Sequence, residues 1–160
     1  MIKILGYNDI VDCIKLMDRS VDKHQYYHGY PRNELAWITF FTSIIKGVQA
    51  GDVNYFAAGE YTQGHLNGFI TAKSFQTYYT NDVIMDVKDC IVDPDRDSNI
   101  FTVIKLFDAM LDHVKKHGGR HWRADSVHNE QDAMRYAQFL KKKYGAAIHT
   151  SARGVIDVRN

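Results

Sequence analysis

Apolar and polar positions change period several times along this chain, and each change marks an element. Residues 2–7 alternate as a short strand. Asn8 or Asp9 then caps a run with apolar residues at Ile10, Cys13, Ile14, Met17 and Val21, the spacing of an amphipathic helix. Residues 23–32 are rich in aromatics and turn formers and read as an ordered loop. Asn33 caps a second helix with Leu35, Ile38, Phe41, Ile44, Ile45 and Val48 facing inward, stopped by Gly51-Asp52.

The period then shortens to two. Residues 53–61 and 66–78 read as strands joined by the turn Thr62-Gln63-Gly64-His65, and residues 83–92 form a fourth strand stopped by Asp93-Pro94-Asp95. Helical spacing returns with Val103, Leu106, Phe107, Met110, Leu111 and Val114, and Gly118-Gly119 supplies the stop. Residues 120–127 make a fifth strand whose Arg123, Asp125 and Ser126 suit a partly open slot between it and the fourth strand. A last helix follows, capped by Asn129 with Asp132, carrying Ala133, Tyr136, Ala137, Leu140 and Tyr144 inward and ending at Gly145. Residues 146–150 and 155–158 read as two final short strands. The order β-α-α-β-β-β-α-β-α-β-β describes an α+β fold with a mixed, mostly antiparallel sheet flanked by helices.

Composition narrows the function classes. With 160 residues, 45% of them hydrophobic and 24% charged, the chain can fold as one domain over 1–160 with a sizeable core. Its net charge of +1 lacks the basic footprint of a generic nucleic-acid binder or membrane-surface protein. No apolar run approaches the ~18 residues that span a bilayer, and the amino terminus has no apolar leader core. Cys13 and Cys90 match no metal or redox spacing and read as reduced thiols of a cytoplasmic protein. His113 and His117 share a helix face, but the sequence places no third ligand beside them, so no metal is expected.

Three short motifs stand in a telling order: Val92-Asp93-Pro94 closing the fourth strand, a helix entered near Phe101, and Asn129 leading a helix that ends in Gly145-Ala146. With the element order over nearly the whole chain, they resemble the GNAT acetyltransferase superfamily. The resemblance implies acetyl transfer from acetyl-CoA to an amine by direct attack. Backbone groups at Cys90, Ile91 and Val92 would hold the acyl and pantetheine portions. The helix start at Ser98, Asn99, Ile100, Phe101 and Thr102 would hold pyrophosphate, with Asn129 also at the cofactor. Asp86, six residues before Val92 and on the same face of the strand, matches a position where some members carry a catalytic carboxylate. The plainer reading of Asp86 is a carboxylate paired with a nearby Lys or His.

The family's tyrosine acid falls on Lys141 here, leaving Tyr136 and Tyr144 as the nearest substitutes. Tyr26, Tyr27, His28 and Tyr30 lie where the resemblance places the acceptor pocket, for a small-molecule or peptide amine, with a homodimer as one arrangement open to the family. One departure matters. The turn from Asp95 to Thr102 contains no glycine, and Asp93, Asp95 and Asp97 stand beside the expected phosphate with Arg96 alone in opposition. That departure predicts weak acetyl-CoA binding. It also keeps open a rival in which the fold serves as a catalytically silent binding or assembly module, for example a virion-associated protein.

Overall fold

The computed structural model describes residues 1–24, 33–77, 82–96, 99–125 and 130–148. The chain divides into two units, Met1–Asp125 and Ser126–Asn160. The first contains β1 (Ile2–Ile4), a 3₁₀ turn at Tyr7–Asp9, α1 (Ile10–His24), α2 (Glu34–Gln49), β2 (Tyr55–Thr62), β3 (His65–Gln76), β4 (Val83–Val92), α3 (Asn99–Lys116) and β5 (His121–Ala124). The five strands form one sheet in the order β1-β2-β3-β4-β5. All pairs are antiparallel except β4 with β5, which is parallel. A parallel pair needs a crossover, and α3 supplies it.

Helices cover both faces of the sheet. On one face Phe41, Ile44 and Ile45 of α2 and Cys13 and Leu16 of α1 close over Leu5, Ala57 and Phe69. On the other lies α3, whose Val103, Leu106, Phe107, Met110 and Val114 are all buried. Phe107 meets Trp122 edge-on at 5.8 Å. Covered on both sides, β2 and β3 carry unbroken buried runs instead of strict alternation. Burying each Phe or Leu this way stabilises the fold by roughly 1.5–3 kcal/mol.

Local chemistry sets the element ends. Asn33 accepts the Ala36 N–H at 2.9 Å as the cap of α2. Gly51 and Gly118 adopt positive φ beyond α2 and α3, where a side chain would be strained. Leu35, expected to face inward, is 74% exposed. It falls off the stripe because six residues from Phe41 is about a third of a turn away from whole turns of 3.6. β1 ends at Ile4, short of the expected residue 7, because the chain turns at Gly6, whose carbonyl accepts the Asp9 N–H at 3.0 Å and opens the 3₁₀ turn.

The second unit contains α4 (Glu130–Tyr144), in which Leu140 is buried. Gly145, at φ 68°, donates its N–H to the Lys141 carbonyl at 2.9 Å and ends the helix. Residues 146–148 are not in a strand as expected, and the remainder of the two final strands lies outside the described residues.

Candidate active site

The regular alternation of β4 breaks at one residue. Thr71 pairs with Asp89 and Ala72 with Val87, so Lys88 is an extra residue, a β-bulge. Asp86, which pairs with Lys73, and Val92, which pairs with Gly68, therefore lie on opposite faces. This corrects the expectation that they share one: a count by twos misses the inserted residue. β5 accompanies β4 only from Ile84 to Val87, opposite His121 to Ala124. The residues that would continue β5 beside 88–92, and with them the expected slot, lie mostly outside the described residues.

Asp86 is 2% exposed and fully engaged. Arg123 donates from Nε and Nη2 to its two oxygens at 2.9 and 3.0 Å, and Lys88 Nζ donates to Oδ2. The guanidinium also lies 4.9 Å from the Phe75 ring centroid. Burial raises the Asp86 pKa, but the bonds from Arg123 and Lys88 outweigh it and hold the carboxyl below its ordinary value. The plainer sequence reading of a paired carboxylate describes its surroundings.

Asp89, just past the bulge, is the opposite case. Thr71 Oγ1 donates to its Oδ2 at 2.8 Å, and no cation lies within ion-pair distance among the described residues. Desolvation dominates and raises its pKa, although Thr71, Trp37 and the field of Lys88 lean the other way. Trp37 Nε1 is buried and completes no hydrogen bond, even though it lies near enough to favour the charged form of Asp89. The neighbouring Cys90 thiol is pushed up to about 12 by burial and by Asp89, so it stays protonated and is no nucleophile.

At the end of β4, Asp93 ties four pieces of chain together. Its Oδ2 meets His65 Nε2 at 2.8 Å and Arg19 Nη2 at 3.5 Å, its Oδ1 accepts the Asp95 N–H, and its own N–H donates to the Asn67 carbonyl. Burial opposes its charge, but these partners keep the carboxyl below its ordinary range. Beyond it, Ile100 and Phe101 in the first turn of α3 are 45% and 64% exposed, while Thr102 is buried against Gly68. A Cβ on Gly68 would come within 2.7 Å of Thr102 Cγ2 and 2.8 Å of the Ile91 carbonyl, so glycine lets α3 start close to the sheet. An open cleft of about 550 Å³ adjoins this knot, lined by Asp12, Lys15, Asp18, Arg19, His65 and the turn before Leu66.

Of the residues picked out in the sequence, Asp86, Cys90, Ile91, Val92, Ile100, Phe101 and Thr102 fall along β4 and the start of α3, and Asn99 opens that helix. Tyr136 and Tyr144 lie on α4 in the second unit. Ser98, Asn129, Tyr26, Tyr27, His28 and Tyr30 lie outside the described residues. His113 is held structurally, its Nε2 2.9 Å from the Val53 carbonyl. Sequence reasoning missed Asp89, Thr71 and Trp37. The signal was Lys88-Asp89, two charged residues interrupting an apolar strand beside Asp86.

No protein-family model matches the chain and no curated protein matches it. Solved structures do. An aminoglycoside acetyltransferase from an uncultured soil sample superposes with TM-score 0.69 at 13% identity, over 98% of this chain and 95% of that one. The BH1408 protein of Bacillus halodurans gives 0.76 at 15%, over 98% and 99%. Glucosamine-6-phosphate N-acetyltransferase of Arabidopsis thaliana gives 0.65 at 14%, over 98% and 97%. The fold is that of the GNAT acetyltransferases.

Proposed function

We propose that the chain is an N-acetyltransferase that moves an acetyl group from acetyl-CoA to an amine. The observation that carries this reading is the acetyltransferase fold itself, in which β4, paired with β5 over Ile84–Val87 among the described residues, leads toward α3. The edge of Cys90, Ile91 and Val92 that faces away from β3 is the proposed seat of an extended amide chain, and the N–H groups of the first turn of α3, from Asn99 to Thr102, suit phosphate. Acetyl-CoA, when bound, supplies an activated acyl carbon.

Two features bear on the glycine-free turn. The Asp93 carboxylate is taken up by His65 and Arg19, which removes one of the three charges set against phosphate. The exposure of Ile100 and Phe101 leaves their backbone in the first turn of a helix seated against Gly68.

The amine must lose a proton. A carboxylate held low by two cations is a poor acceptor, so Asp86 serves to fix Arg123 and Lys88. Asp89, raised by burial, is closer to the pKa a general base needs. Tyr136 or Tyr144 is the proposed proton donor to the thiolate, and the loop bearing Tyr26, Tyr27, His28 and Tyr30 the proposed acceptor wall. The protein works in the cytoplasm on this reading, and no described helix is long and apolar enough to cross a membrane.

The rival of a silent binding module is favoured by one observation, the exposed Ile100–Phe101 pair in a turn without glycine. Single-turnover acetylation of a mixed amine panel decides between them. Transfer from acetyl-CoA that falls about 10²-fold or more in Asp89→Asn supports the enzyme with its base. No transfer to any amine supports the module.

A further inference from the structure

A single rung crosses four strands: Tyr55 on β2 pairs with Lys73 on β3, Lys73 with Asp86 on β4, and Asp86 with Arg123 on β5. Directly paired residues point to the same side of a sheet, so these side chains form one row. The Tyr55 ring packs so closely under Gly47 that no Cβ would fit there, which places the row on the α2 face. The bulge adds a further member, because it lets Lys88 turn back onto Asp86.

The row carries more positive charge than it neutralises. Lys73, Lys88 and Arg123 gather around one ionised carboxylate, Asp86, whose oxygens are taken by Arg123 and Lys88. Lys73 stands opposite that carboxylate in register, yet its ammonium makes no ion pair among the described residues and lies 5.2 Å from the Tyr55 ring centroid. Arg123 commits its Nε–H and one Nη2–H to Asp86, and its other N–H donors are left over. The Phe75 ring, 4.9 Å away, holds the guanidinium in place. Two more acids lie near. The charged form of Asp89 is disfavoured by burial, and Asp125 acts on Arg123 through its field without reaching ion-pair distance. Counting Asp125 still leaves positive charge in excess. Lys73, Lys88 and Arg123 are all exposed, so a ligand can approach from solvent.

From this we infer that the row is the seat of a phosphomonoester group, whose oxygens accept from Lys73 Nζ, from the remaining N–H donors of Lys88 and from the outer edge of Arg123. A guanidinium fork matches two phosphate oxygens, and the charge of a phosphomonoester, about −1.5 to −2 at neutral pH, matches the excess. A phosphodiester or a carboxylate, with its single charge, meets less of it. Asp86 is a positioning residue here, since it sets the fork of Arg123 without touching the ligand. If the chain is an acetyltransferase, as proposed above, its acceptor is then an amine that carries a phosphate group.

Ethyl phosphate tests the seat without an acyl donor. In a ¹⁵N correlation spectrum it should shift the amide signals of Lys73, Lys88 and Arg123 saturably, while diethyl phosphate and ethylamine leave them in place. Lys73→Gln breaks no ion pair and should fold as the parent does, which the rest of its spectrum checks. It is expected to weaken ethyl phosphate binding about tenfold, as loss of a bond from a charged donor does. Coenzyme A brings a phosphomonoester of its own on the ribose, so competition separates that source from an acceptor: the ethyl phosphate response should persist in excess coenzyme A. Unmoved signals, an equal response to the diester or the amine, an undiminished response in Lys73→Gln, or displacement by coenzyme A would each overturn the inference. Acetyl-CoA binding is measured separately, so loss of the acyltransfer reading and loss of this site are distinguishable.

Discussion

Asp86 and Arg123 are partners twice over. Their backbones face each other in the parallel β4–β5 pair, and their side chains close a two-point bond at 2.9 and 3.0 Å. The bond sits one rung before the last pairing among the described residues, Val87 with Ala124, so it pins the two strands together at that end.

Removing the cation leaves a buried carboxylate with Lys88 as its remaining partner. Arg123→Met should therefore destabilise the protein by about 1–3 kcal/mol, less than a fully buried pair would cost because Arg123 is half exposed. Denaturant unfolding measures this. Asp86→Asn should leave turnover within about tenfold of the parent, whereas a hundredfold loss would restore Asp86 as the general base.

Asp89 and the four paired acids act on stability with opposite signs. A carboxyl whose folded pKa is lowered contributes stability above the ordinary carboxyl range, lost as pH falls through it, and Asp9, Glu60, Asp86 and Asp93 are of this kind. Asp89, raised in the fold, contributes stability at low pH that is lost as pH rises above the ordinary range. Asp89→Asn should thus melt higher than the parent at pH 7, with the difference shrinking as pH falls into the ordinary carboxyl range. A lower melting temperature at pH 7 would show that its charge is balanced within the chain.

Gly68 seats the start of α3. Gly68→Ala forces Thr102 or the Ile91 backbone to move, so it should cost about 1–3 kcal/mol and weaken acetyl-CoA binding, read by thermal unfolding and calorimetry on the same variant. Unchanged stability and binding would mean that this close seating is incidental.

How far the sequence alone leads depends on whether a feature repeats. The stripe of Val103, Leu106, Phe107, Met110 and Val114 repeats over several turns and marks α3 correctly, and Asn33 and Gly145 mark helix ends because each answers a backbone need. The bulge at Lys88 is a single event without a period, and it moves Asp89 toward Thr71 and puts Asp86 and Val92 on different faces. The pairing of Asp93 with His65 and Arg19 joins residues far apart in sequence, so the charge count in the turn overstated what an anion would meet. Leu35 was misplaced by extending a stripe one step beyond its true phase.

Whether acetyl-CoA binds the intact chain tests the account most directly, because the β4 edge, the seating of α3 on Gly68 and the diversion of Asp93 all bear on the same ligand. Isothermal calorimetry should give a dissociation constant in the micromolar range, about −7 to −8 kcal/mol, weakened several-fold in Gly68→Ala. No detectable heat at about millimolar ligand, equivalent to roughly −4 kcal/mol or weaker, would contradict it and leave a fold kept for its surface.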